Sequence, residues 1–131
     1  MTILGSLMIL RDDMKITESF DKEEFSCKCG CGLDYIQDGI VQRLQVVRDI
    51  LKSPILVLSG VRCAKHNSEV GGAPESYHTK GMAVDWVIEN SSTLKWAAET
   101  ILHNWSGGFH YYPEKNFVHC DLGPRRRWGE S

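Results

Sequence analysis

The stretch Ser76-Tyr77-His78-Thr79-Lys80-Gly81-Met82-Ala83-Val84-Asp85 constrains this chain more than any other, because it sets a histidine and a carboxylate seven residues apart in opposite settings. His78 lies in a glycine-bearing loop. Asp85 lies inside Met82-Ala83-Val84-Asp85-Trp86-Val87-Ile88, an apolar, β-favouring run that predicts a strand buried on at least one face. A carboxylate in such a strand loses hydration worth several kcal/mol unless something positive compensates it, and the strand holds no Lys or Arg. A metal ion would supply that charge.

Phe117-Val118-His119-Cys120-Asp121-Leu122 repeats the theme. Alternation puts Phe117, His119 and Asp121 on one face of a strand and Val118, Cys120 and Leu122 on the other. If this strand pairs beside the first, His78, Asp85 and His119 can converge as a set of two histidines and one carboxylate. Three protein ligands leave a fourth position open for water, which is how catalytic zinc sites differ from closed structural ones. A single strand histidine is more often a hydrogen-bonded core residue; the joint pattern carries the metal reading.

Ser76-x-His78-x-x-Gly81-x-Ala83-x-Asp85, with Ser59-Gly60-Val61-Arg62 upstream and Phe117-Val118-His119 downstream, resembles the zinc D-alanyl-D-alanine carboxypeptidases, a family that includes phage endolysin endopeptidases. The hedgehog signalling domain shares that zinc scaffold. The likeness runs from about Phe25 to about Trp128. It implies an α+β fold in which a small antiparallel sheet carries the zinc site and two main helices cover it. It also implies zinc on His78, Asp85 and His119, and a substrate-facing or ligand-supporting hydroxyl at Ser76. Arg62, just past a strand end, can grip a carboxylate bidentately or stabilise an oxyanion, or form a surface salt bridge; the matched motif favours a catalytic or substrate-binding role.

The general base departs from the family pattern. Well-known carboxypeptidase members carry Glu or Asp three residues before the last ligand, where this chain has Asn116. Asp121, on the strand face of His119, is the expected substitute, with a ligand-orienting role as its alternative. Glu114 in the turn and His110 on the adjoining strand come next. The implied chemistry is zinc-dependent hydrolysis of an amide in peptidoglycan stem or cross-bridge peptides, as a carboxypeptidase or an endopeptidase. A non-catalytic zinc-stabilised binding domain is the alternative.

At 131 residues, 42% hydrophobic, 24% charged and net charge −2, the chain fits one soluble domain, 1–131, with a lead-in over 1–24 and a core over 25–128. Nothing in that balance suggests a nucleic-acid partner, and a monomer is expected. Arg125-Arg126-Arg127 is read as a solvated tail. Met1–Leu10 lacks the marks of a signal peptide and is too short for a membrane span, so synthesis in the cytoplasm is expected, with action on the wall after release, as for a phage lytic enzyme. Cys27-x-Cys29-x-Cys31 could contribute to a second, structural metal, but the two-residue knuckle spacing is missing and no fourth ligand is adjacent. Packed thiols are the favoured expectation.

Along the chain, 11–25 reads as an extended lead-in anchored by Phe20 and Phe25. A helix follows from an Asp38 cap, with Ile40, Val41, Leu44, Val47, Ile50 and Leu51 inward. Ile55–Leu58 reads as a central strand, and 64–81 as an irregular loop holding a structural or surface His66. A second helix, capped within Asn90–Thr93, turns Leu94, Ala97, Ala98, Ile101 and Leu102 inward and ends near His103. Phe109–Tyr112 and Phe117–Leu122 form a hairpin.

Overall fold

The computed structural model describes residues 14–89 and 93–127 of the chain. Ile55–Ser59 forms strand β3 and the aspartate-bearing run forms β4 (Ala83–Ile88), paired antiparallel. The hairpin is β5 (Gly108–Tyr112) and β6 (Phe117–Asp121), and a short β7 (Arg126–Arg127) follows. These strands make one sheet in the order β3-β4-β6-β5-β7, antiparallel except where β7 runs parallel to β5. Register sets Asp85 opposite His119, and His119 opposite His110.

Period-two alternation then sorts the sheet into two faces. Val84, Trp86 and Ile88 of β4 share the core with Val118 and Cys120 of β6 and Phe109 of β5. Two helices supply much of the rest of that core. Helix α1 (Asp38–Leu51) contributes Ile40, Val41, Leu44 and Val47, and a later helix, Leu94–Leu102, contributes Leu94, Ala97, Ala98 and Ile101. Each fully buried Val, Leu or Ile stabilises by about 1.5–3 kcal/mol, so the helices bind this face firmly. The opposite face carries Asp85, His119 and Asp121. The expected α+β architecture is the one observed.

Several local expectations are corrected. The lead-in is not simply extended: it holds a hairpin of β1 (Lys15–Thr17) and β2 (Phe20–Asp21), then a 3₁₀ turn at Lys22–Phe25. Phe20 and Phe25 are buried anchors as expected. Asp38 is the first residue of α1, and Gln37 precedes it as the cap. Ile50 is 64% exposed; with Val46 one turn earlier, it lies beside the stripe that the sheet covers. Residues 64–81 are not a plain loop, since they contain helix α2 (Ala64–Glu69) and a 3₁₀ turn at Tyr77–Lys80. The Leu94–Leu102 helix is therefore α3, with Thr93 at its cap and an exposed His103 at its end.

The arginine tail is only partly solvated. Arg125 is exposed, but Arg126 pairs with buried Asp121, and Arg127 donates to the Gly107 carbonyl at 2.6 Å. Met1–Leu10, Asn90–Ser92 and Trp128 lie outside the described residues, as does the Leu102 side chain. Among the described residues no helix is long and apolar enough to cross a membrane.

Candidate metal centre

His78 is presented by the 3₁₀ turn Tyr77–Lys80. Ser76 starts that turn, its Oγ accepting from the His78 amide at 3.2 Å. Gly81 ends it at φ 68°, and a Cβ there would meet the Tyr35 carbonyl oxygen at 2.4 Å, so only glycine fits. The His78 ring is buried, with Nδ1 2.7 Å from the Gly60 carbonyl oxygen. A carbonyl only accepts, so Nδ1 carries the hydrogen and Nε2 is turned towards Asp85, 3.2 Å away.

His119 reaches the same oxygen from β6. Its Nδ1 lies 2.9 Å from Asp85 Oδ1, the oxygen that His78 also contacts. The other Asp85 oxygen accepts from the Arg62 guanidinium at 3.3 Å. Arg62 is held in turn by Ser59 Oγ at 3.1 Å and Asn67 Oδ1 at 3.2 Å, and buried Asn67 donates onward to the Ala73 carbonyl at 2.8 Å. Burial works against charge on Asp85, but hydrogen bonds from His119 and His78 outweigh it and hold its carboxyl well below the ordinary carboxylate range.

Asp121 has a different environment. Its side chain is 1% exposed. Oδ1 accepts from the backbone amides of Gly108 at 3.0 Å and Gly123 at 2.9 Å, and Oδ2 from His119 Nε2 at 2.8 Å and Arg126 at 2.7 Å. A carboxylate offers about four lone-pair sites, and all are used. Although burial alone would raise it, the bond to His119, the amides and the arginine keep the Asp121 carboxyl below its usual range. A saturated carboxylate of lowered basicity is poorly suited to take a proton. It is well suited to hold His119 with Nδ1 facing Asp85.

The donor set fits a metal. One nitrogen of each histidine is committed elsewhere, and the remaining nitrogens and an Asp85 oxygen all lie within 4.8 Å of one another. Donors on a tetrahedral ion with bonds of about 2.1 Å stand about 3.4 Å apart, close to the 2.9 and 3.2 Å measured. Burial disfavours the imidazolium, yet the Asp121 and Asp85 carboxylates raise His119 above its ordinary value.

The sign of the pH effect follows. The His119 imidazolium stabilises the metal-free fold fully below about pH 6.5 and less as pH rises through its raised folded value. A metal needs the neutral ring, so protons compete with it from higher pH than for an ordinary histidine. Metal occupancy at limiting zinc is expected to fall as pH drops through the raised His119 value and to recover with excess zinc. Insensitivity to added zinc at the lower pH contradicts this.

The three groups open onto a cleft of about 570 Å³, also lined by Arg62, Ser76, Tyr77, Tyr112, Lys115 and Arg126. Glu114 and His110 are not among its lining residues. Glu114 is exposed in the β5–β6 turn, beside Lys115; His110 packs edge-on against Tyr112, with ring centroids 4.3 Å apart. Asn116 holds φ 54° in that turn and accepts from the Tyr111 hydroxyl at 2.8 Å, so an amide there serves the backbone. His66, half-buried on α2, belongs to neither candidate metal group. No fourth ligand is adjacent to Cys27, Cys29 and Cys31 in the chain, but the fold brings Cys63, at the start of α2, into a group of four with them. Asn67 and Arg126 hold supporting positions that sequence reasoning did not give them, and Gly60, quoted there within the Ser59–Arg62 motif, proves to hold the His78 ring.

Two imidazoles and a carboxylate converging on one point beside an open cleft are the donor set of a metal-dependent hydrolase. Residues 18–121 match the family Peptidase M15. Over 100 residues the chain is 38% identical to the peptidoglycan L,D-endopeptidase MepK of Escherichia coli K12, covering 71% of this chain and 54% of that protein. It is 36% identical over 92 residues to the probable peptidoglycan L,D-endopeptidase MepK of Haemophilus influenzae, covering 65% of this chain and 48% of that protein. The chain spans about half the length of these relatives. It belongs to the peptidase M15 family.

Proposed function

We propose that this chain is a zinc peptidase that hydrolyses an amide bond within peptidoglycan peptides, acting as an endopeptidase on an L,D bond. The observation that carries this is the convergence of His78 Nε2 and His119 Nδ1 on one Asp85 oxygen in an M15 chain. The endopeptidase reading rests on the names of the MepK relatives and on the open cleft.

When bound, zinc supplies a Lewis acid and an acidified water. His78, Asp85 and His119 would hold it. The Gly60 carbonyl and Asp121 fix the two rings, a support whose loss typically weakens metal affinity about 10–100-fold. Arg62 uses three of its N–H groups on Ser59, Asn67 and Asp85. A guanidinium has five, so two remain at the cleft wall to grip a peptide carboxylate or the oxyanion. Lys115 adds positive charge for the stem peptide, and the Ser76 hydroxyl lies where substrate passes.

With Asp121 saturated and Asn116 neutral, we assign proton transfer to Glu114. Glu114 lies in the turn between Tyr112 and Lys115, both of which line the cleft. Glu114→Gln is expected to bind metal like the wild type and to lower kcat by about 10²–10⁴-fold. Unchanged kcat contradicts the assignment. Mass spectrometry of digested peptidoglycan tests the bond: internal fragments are expected, and release of free D-alanine alone would make the protein a carboxypeptidase.

A further inference from the structure

Four of the five cysteines gather in a group of their own, separate from the peptidase centre's ligands. The sulfurs of Cys27, Cys29, Cys31 and Cys63 all lie within 4.8 Å of one another. Cys29 Sγ is 3.4 Å from Cys27 Sγ and 3.7 Å from Cys63 Sγ. Sulfurs on a tetrahedral zinc with bonds of about 2.3 Å stand about 3.8 Å apart. All four residues are free thiols.

The backbone is shaped to make this cluster. Cys27 donates its amide to the Leu33 carbonyl at 2.7 Å and Gly30 donates to the Cys27 carbonyl at 3.3 Å, curling the segment into a tight loop. Gly30 and Gly32, at φ 83° and 91°, supply left-handed turns directly after Cys29 and Cys31. Two amides point at sulfur: Cys63 N donates to Cys27 Sγ at 3.4 Å, and His66 N to Cys63 Sγ at 3.3 Å. Such donors offset the negative charge that thiolates bring to a metal.

We propose that Cys27, Cys29, Cys31 and Cys63 hold a second, structural zinc ion in a closed four-sulfur shell. Binding displaces one proton from each thiol, and with four protein ligands no position is left for water or substrate. The ion ties the lead-in to the segment that leaves β3. That tie already includes the Val61 amide bonded to the Phe25 carbonyl at 2.9 Å. Cys63 directly follows Arg62, and Gly60 holds the His78 ring. The second ion therefore steadies two supports of the peptidase centre without joining the chemistry.

The test is metal stoichiometry with a cobalt spectrum. The wild type is expected to hold about two zinc ions per chain, and His78→Ala and the double variant Cys29→Ser/Cys31→Ser about one each. Cobalt-loaded His78→Ala should show intense sulfur-to-metal charge-transfer absorption and the spectrum of a tetrahedral ion. If the cysteine variant fails to fold, that spectrum decides alone, and it does not depend on peptidase activity. One zinc in the wild type that is wholly lost in His78→Ala would overturn the proposal. So would cobalt-loaded His78→Ala without thiolate bands, or a disulfide among the four cysteines.

Discussion

Asp121→Ala is expected to cost about 1–3 kcal/mol of stability, the usual loss when buried donors are left without an acceptor. It should also weaken metal binding at the histidine centre by about 10–100-fold. The side chain accepts from two backbone amides, an arginine and His119 Nε2. Alanine takes this acceptor from the Gly108 and Gly123 amides and from His119 Nε2 in a site where Asp121 is fully buried. It also frees the His119 ring to rotate or change tautomer, so Nδ1 is no longer aimed at Asp85. Urea denaturation and competition with a zinc chelator read the two effects separately. Wild-type stability and zinc affinity with only kcat lowered would reinstate Asp121 as the proton acceptor.

Asp85→Ala removes a ligand outright. The carboxylate faces both histidines and Arg62, so its loss removes the one acidic group those three side chains share. Zinc content is expected to fall by one ion per chain. Hydrolysis should drop by at least about 10³-fold, because a bound ion lowers the pKa of its water by roughly eight or nine units. Zinc analysis and a peptidoglycan-digestion assay check both halves. A variant that keeps the ion and cleaves at a wild-type rate would remove Asp85 from the centre.

Much of this site could be read from the sequence because strands alternate with period two. Asp85 among apolar neighbours and His119 between Val118 and Cys120 announced polar groups on a strand face, and pairing β4 with β6 brings them opposite each other. The core stripe of α1 was readable for the same reason of periodicity, except at Ile50, where only the width of the covering sheet decides exposure. For Asp121 the sequence left two roles open, base or ligand-orienting group, and its set of donors was not readable. Its four donors come from Gly108, Gly123, His119 and Arg126, and three of these are set by loop closure and the parallel β5–β7 pairing. Cys63 was also hidden, since it meets Cys27, Cys29 and Cys31 only through the path that the chain takes out of β3. Short elements such as α2 escaped because six residues carry too little periodic signal.

The most direct test of the central claim is the mass spectrum of purified peptidoglycan digested by the chelated protein before and after zinc is restored. The account predicts no cleavage without the ion. With zinc restored, it predicts fragments that have each gained one water at an amide within the peptide. Undiminished cleavage by the chelated protein, or no cleavage when zinc is bound at His78, Asp85 and His119, would contradict it.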